Sequence, residues 1–126
     1  MNKIIHTENA PAAIGPYSQA VQAGNLLFVS GQIPVDPATG AFAGEDIAAQ
    51  TRQSLTNIQA ILEEAGYTLA DVVKATVLLA DMADFAAMNA VYAQFFTANC
   101  PARAAFAVKE LPRGAKVEIE VIACRD

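Results

Sequence analysis

Apolar and polar positions along the chain follow two different rhythms, and the switches between them divide it into elements. Residues Gln19 to Ala23 and Leu26 to Gln32 carry the β-branched and long apolar residues of extended chain. Gly24-Asn25 between them suits a tight hairpin turn. Asp36-Pro37-Ala38-Thr39-Gly40 is a turn by composition. From about 46 to 65 the rhythm changes: Ile47, Thr51, Leu55, Ile58, Leu62 and Ala65 recur at the three-and-four spacing of one helical face. Gly66 stands where a helix C-cap prefers glycine. Residues 72–80, rich in Val, Leu and Thr, predict a mostly buried strand. A second helix is predicted over 84–98, with Phe85, Met88, Tyr92 and Phe95 as its apolar stripe and Pro101 beyond its end. Two strands, over 103–108 and 116–124, finish the chain, with Leu111-Pro112-Arg113-Gly114 as the loop between them. With no repeat, low-complexity tract or linker, residues 1–126 read as one domain of α+β class, one sheet with two helices.

Two helices cover one face of a sheet and leave the other open. In the last strand Val117, Ile119 and Val121 point towards the helices, and Lys116, Glu118, Glu120, Ile122 and Cys124 point away. In the strand over 72–80, Val73, Ala75, Val77 and Leu79 oppose Val72, Lys74, Thr76 and Leu78. The second face is mixed, too apolar for water, so a partner subunit is predicted to cover it. Composition agrees. Hydrophobic residues make up 54% of the 126, 27 of them Ala, yet charged residues are only 17%, against a usual share of about 25%. A low surface charge is what an oligomer interface leaves behind.

Charge and rare residues then narrow the chemistry. The net charge is −5, with Lys and Arg scattered singly, so the basic stripe that nucleic acid requires is missing. The N-terminal segment lacks the apolar block of a signal peptide. The uncharged stretch from residue 9 to 35 is broken by Pro11, Gly15, Pro16, Gly24, Gly31 and Pro34, which rules out a membrane-spanning helix. A soluble, cytoplasmic protein is expected, with Cys100 and Cys124 as reduced thiols. His6 is the only histidine, which removes histidine-based metal sites and Ser-His or Cys-His catalysis within one chain. Phosphate-binding and dinucleotide fingerprints are absent as well. What remains for an enzyme is Arg, Glu, Lys, Tyr, backbone N–H groups and water.

The final strand pair offers the best site. With Ala104, Phe106 and Val108 on the core face, Arg103, Ala105 and Ala107 take the other. The two last strands are expected to pair as an antiparallel hairpin, which joins like faces. Arg103, Glu118 and Glu120 are thus predicted to emerge on the same side, the mixed face assigned to the subunit interface. A guanidinium there is suited to gripping a carboxylate, and a neighbouring Glu to deprotonating water. An ordinary cross-strand ion pair, worth roughly 0–1 kcal/mol when exposed, explains the same three residues. Lys74 reads as a solvated lysine rather than a Schiff-base amine. Tyr17, after Gly15-Pro16, and Asn89, amid an apolar helix, fit either packing or a ligand contact.

With those residues in hand, the chain resembles the RidA/YjgF family of reactive intermediate deaminases. The resemblance runs through Ile14-Gly15-Pro16-Tyr17-Ser18-Gln19-Ala20, Val29-Ser30-Gly31-Gln32-Ile33-Pro34 and Val72-Val73-Lys74-Ala75-Thr76-Val77. It continues in Asp84-Phe85 with Asn89, in Pro101-Ala102-Arg103, and in Leu111 through Glu120. The joint order of these pieces carries it, since each alone is weak. The resemblance implies a chorismate-mutase-like fold assembled as a homotrimer, its sheets forming a central barrel and its three sites lying between subunits. It implies hydrolysis of 2-iminopropanoate and 2-iminobutanoate, products of pyridoxal-phosphate-dependent dehydratases, to 2-oxo acids and ammonia, with no cofactor. By the family pattern Arg103 holds the substrate carboxylate and Glu118 activates water. Tyr17 closes the pocket, and groups at Ser30, Gly31, Asn89 and Ala105 contact substrate. Two departures stand out: Ala104-Ala105 replaces the Ser-Cys or Thr-Cys common in relatives, and Cys100 stands where an aromatic often precedes Pro-Ala-Arg. A non-catalytic carboxylate-binding or chaperone-like protein using the same cleft is the alternative.

Overall fold

The computed structural model describes residues 1–126. Six strands, β1 (Lys3–Ile5), β2 (Ala20–Ala23), β3 (Leu26–Gln32), β4 (Val72–Leu79), β5 (Ala102–Ala107) and β6 (Val117–Cys124), form one sheet in the order β1-β2-β3-β6-β4-β5. Two helices, α1 (Ile47–Glu64) and α2 (Phe85–Phe95), pack on one face. The sheet is mixed. Strands β4 and β5 run parallel, joined through α2 as a parallel pair requires, and the other pairings are antiparallel. The α+β class and the two-helix, one-sheet plan expected from the sequence are therefore present.

Helix α1 buries Ile47, Leu55, Ile58, Ile61 and Leu62 against Val117, Ile119 and Val121 of β6. It ends as expected at Gly66, which adopts φ 81°. Tyr67 N–H donates to the Leu62 carbonyl and Gly66 N–H to that of Glu63, at 2.8 and 3.0 Å, so the terminal carbonyls are satisfied. Two buried amides on α1 tie down the neighbouring chain. Gln50 Oε1 accepts from Lys116 N–H at 2.8 Å, and Asn57 Nδ2 donates to the Val35 carbonyl at 2.9 Å. The first of these bonds anchors the entry to β6, two residues before Glu118.

Three sequence expectations are corrected. Helix α2 stops at Phe95 rather than 98, because Phe96 leaves helical backbone to stack its ring on Tyr92, centroids 4.7 Å apart. Strand β4 keeps the expected alternation from Lys74 to Leu79, but Val72 is buried and Val73 half-exposed. A bulge against β6 shifts the register there. Most consequential is β5. It does not form a hairpin with β6; β4 lies between them, with Ala75 beside Arg103 and Leu78 beside both Phe106 and Glu118. Residues paired across a sheet share a face, and Ala75 and Val77 are fully buried under the helices. Arg103 and Ala105 therefore point to the helix side, Ala104 and Phe106 to the open side, which reverses the expected assignment. Strand β1 was not anticipated; three residues are too few to establish a period.

On the open face, Phe28, Val73 and Phe106 each expose more than two-fifths of their surface, and Leu78, Glu118 and Ile122 are only partly covered. The mixed, apolar second face expected from the alternation of β6 is thus present. No helix is long and apolar enough to cross a membrane.

Candidate active site

Chemistry-bearing residues gather in two places. The first is built around β3. Between Val29 and Gln32 this strand gains a residue relative to β6, so Ser30-Gly31 forms a bulge. Glu118 of β6 lies directly against it. A Cβ placed on Gly31 would stand 2.9 Å from Glu118 Cδ and closer still to Oε2, so only glycine leaves room for this carboxylate. Partial burial, and then the negative charge of Glu120 two residues along, raise the Glu118 carboxyl above the ordinary carboxylate range.

The bulge is fixed by its neighbours. Ser30 N–H donates to the Gln19 carbonyl at 2.9 Å, and Ser30 Oγ donates to the Ser18 carbonyl at 2.6 Å. Gln19, 2% exposed, accepts from Thr7 N–H through Oε1 at 2.7 Å and donates through Nε2 to the carbonyls of Thr7 and Pro11. Gln19 thus holds residues 7–11 through its buried side-chain amide and the bulge through its own carbonyl. The Tyr17 side chain is 54% exposed. With Gly31, Ile33, Pro112 and Arg113 it lines a cleft of about 430 Å³. Arg113 holds φ 59°, donates to the Gly40 carbonyl at 3.2 Å and lies over the Phe42 ring.

The second place is the edge of β5 against α2. Arg103 Nη1 donates to Asn89 Oδ1 at 2.7 Å. Its guanidinium carbon stands 4.7 Å from the centroid of Tyr92 and 5.5 Å from that of Phe85. Asn89, Tyr92, Phe96, Cys100, Pro101 and Arg103 line a cleft of about 450 Å³. Burial raises the Tyr92 phenol above its usual range while the Arg103 charge opposes the shift. The Tyr92 hydroxyl is buried without a hydrogen-bond partner.

The structure therefore brings the expected residues together as two groups. Tyr17, Ser30, Gly31 and Glu118 cluster at the β3 bulge; Asn89 and Arg103 meet on the helix side, with Ala105 two residues along on the same face. Within one chain, Arg103 and Glu118 lie on opposite faces of the sheet, so the expected juxtaposition through a hairpin is overturned by the insertion of β4. Ser30 commits both its hydroxyl proton and its N–H to carbonyls inside the fold, which leaves its hydroxyl oxygen as an acceptor only. Phe85 and Tyr92 were read only as core. The signal was in their spacing: Phe85, Asn89 and Tyr92 sit at i, i+4 and i+7, one polar residue between two rings on one helical face.

Comparisons with known proteins place the chain by family and fold. A RutC family protein of Pyrococcus horikoshii is 58% identical over the whole of both chains. A 2-iminobutanoate/2-iminopropanoate deaminase of Salmonella typhimurium is 56% identical over 99% of each. Among solved structures, the YjgF gene product of Escherichia coli superposes with a TM-score of 0.95 at 54% identity, covering 98% of this chain and 99% of that one. Escherichia coli TdcF, solved with bound serine, gives 0.95 at 48% identity over the same shares. The family model described as endoribonuclease L-PSP matches residues 7–125. This chain belongs to that family, the RidA/YjgF group.

Proposed function

We propose that this protein hydrolyses 2-iminobutanoate and 2-iminopropanoate to 2-oxo acids and ammonia, in clefts between the protomers of a homotrimer. The observation that carries the reading is the pair of half-sites. A carboxyl of raised pKa sits at a glycine bulge on one side of the sheet, and a guanidinium with one hydrogen bond made sits on the other. Neither half is sufficient alone. The exposed apolar face requires cover, and a second copy supplies it together with the missing half. Relatives more than half identical carry the deaminase name, and one related structure holds serine, a small amino acid whose carboxylate suits an arginine.

The chemistry then follows from the residues. Arg103 of one protomer takes the carboxylate of a protonated imine, and Tyr17 closes the cleft. Glu118 of the neighbour accepts a proton from water as its oxygen bonds to the imine carbon, the C=N π pair moving onto nitrogen. That proton returns from Glu118 to the amine nitrogen. The C–N bond then breaks with its electrons leaving on ammonia, and the hydroxyl passes its proton to Glu118 as the carbonyl forms. Glu118 gives that proton up to the departing ammonia or to water. A carboxyl shifted towards neutrality serves these transfers better than an ordinary one. The anion beside the C=N group also favours its protonated, electrophilic form. Because the carbon is already reactive, orientation and one base suffice, with no cofactor.

Asn89 and Ala105 border the Arg103 half and Gly31 the Glu118 half. On this reading the substrates come from pyridoxal-phosphate-dependent dehydratases and the protein works in the cytoplasm. The nuclease activity in the family description finds no basic stripe here, in a chain of net charge −5.

The test couples the protein to a threonine dehydratase and follows 2-oxobutanoate. Wild type is expected to speed imine loss, and Arg103→Ala to abolish the effect. Equal rates for the two would remove the reading, and saturable 2-oxobutanoate binding without acceleration would establish a carboxylate-binding protein instead.

A further inference from the structure

Arg103 is the residue on which the proposed reaction depends for binding, and its surroundings are unusual for an arginine. It stands on an edge strand, where a long side chain ordinarily samples many rotamers. Here three residues of one helical face meet it. The ring of Tyr92 lies 4.7 Å from the guanidinium carbon and that of Phe85 5.5 Å, while Asn89 Oδ1 accepts from Nη1 at 2.7 Å. An amide acceptor orients the cation without neutralising it, whereas a carboxylate there would compete with an anionic ligand. The rings hold the guanidinium by cation–π attraction and leave its N–H edges free. Tyr92 is 5% exposed, yet its hydroxyl has no hydrogen-bond partner. The Arg103 guanidinium also lies near enough to this hydroxyl to oppose the rise in its pKa, but no hydrogen bond of good geometry joins them, so the ring makes the defined contact.

We infer that Phe85, Asn89 and Tyr92 form a positioning cage that presets the Arg103 guanidinium for a substrate carboxylate, with Tyr92 acting through its ring. The inference rests on the carboxylate role proposed for Arg103 and deepens it. It also gives Asn89 a different part from direct substrate contact: the side chain acts through the arginine. Preorganisation of this kind lowers the ordering cost of binding, so its loss falls on KM more than on kcat.

Four variants separate the alternatives in the coupled imine assay, alongside titration of 2-oxobutanoate by calorimetry. Tyr92→Phe keeps the ring and is expected to stay within about twofold of wild type in KM. Tyr92→Leu removes the ring and is expected to raise KM and weaken 2-oxobutanoate about tenfold, with kcat changed less than about threefold. Asn89→Ala is expected to do the same. Asn89→Asp keeps the arginine in place but neutralises it, and is expected to weaken binding more than Asn89→Ala. Because Tyr92 lies in the core, Tyr92→Leu is read only where its thermal transition remains cooperative; the two partly exposed Asn89 variants carry the test otherwise. Tyr92→Phe as damaging as Tyr92→Leu, or Asn89→Asp binding as well as wild type, overturns the cage. If instead Arg103→Ala itself retains activity, it is the underlying carboxylate reading that fails.

Discussion

Gly31 and Glu118 share one space. The carboxylate of Glu118 occupies the volume that any side chain at position 31 would need, and this contact crosses from β3 to β6 at the bulge. Gly31 does not adopt positive φ, so alanine there meets no backbone strain, and the collision is with Glu118 alone. Gly31→Ala is expected to lower kcat/KM about a hundredfold by moving the base, with a stability change under about 1 kcal/mol. Steady-state kinetics and a thermal melt check both halves. Combined with Glu118→Ala, the glycine substitution is expected to add little further loss.

The raised carboxyl of Glu118 sets a pH dependence. As a base it acts ionised, so kcat/KM is expected to fall with decreasing pH along a limb lying above the ordinary carboxylate range. Glu120→Gln removes the second cause of the shift and is expected to move that limb to lower pH. A limb that stays put in this variant would separate Glu118 from the rate.

The same shift carries a sign for stability. A carboxyl raised on folding binds its proton more readily in the folded chain than in the unfolded one. Stability from this group therefore falls as pH rises from the ordinary carboxylate value through the raised one, and the cost is full above it. Glu118→Gln is expected to melt higher than wild type at pH 7, with the gap closing in acid. Melting curves across that range give the answer.

Complementation addresses the shared cleft. Arg103→Ala and Glu118→Ala are each expected to be inactive, yet hybrids co-refolded in equal amounts are expected to recover about a quarter of wild-type activity, because one in four interfaces pairs two intact halves. No recovery would place both residues of a working site in the same chain.

Phe106 tests the cover over the open face. It stands 47% exposed beside Leu78, and Phe106→Asp puts a charge into the surface that a second copy is proposed to bury. The variant is expected to elute as a single chain with more than tenfold less activity and retained secondary structure. Light scattering and circular dichroism report both, and an unaltered assembly would show that this face is not the interface.

Much of the fold was legible because single elements announce themselves locally. The stripe of α1, its glycine stop and the alternation of β6 each depend on residues a few places apart. The placement of β5 did not. Strands adjacent in sequence suggested a hairpin, whereas β4 competes for the same edge of β6, and that contest is decided by the whole sheet. Phe106 misled for a related reason: a large apolar residue was assigned to the core of its own chain, when it belongs to the open face. Arg103 and Glu118 were found as residue types, but their separation was invisible without the strand order. The sequence around Asn89 fits packing and ligand contact equally, the family pattern alone assigns it to substrate, and its contact with Arg103 depends on how α2 turns against β5.

Placing the cation and the base on opposite faces of one sheet has a consequence for the newly made chain. On the proposed reading, a lone protomer holds each tool but no workplace, and folding by itself confers no activity towards imines. Hiding the greasy surface and becoming competent would then be a single event, and a substitution that loosens the proposed assembly is expected to silence the chemistry before it unfolds the protein.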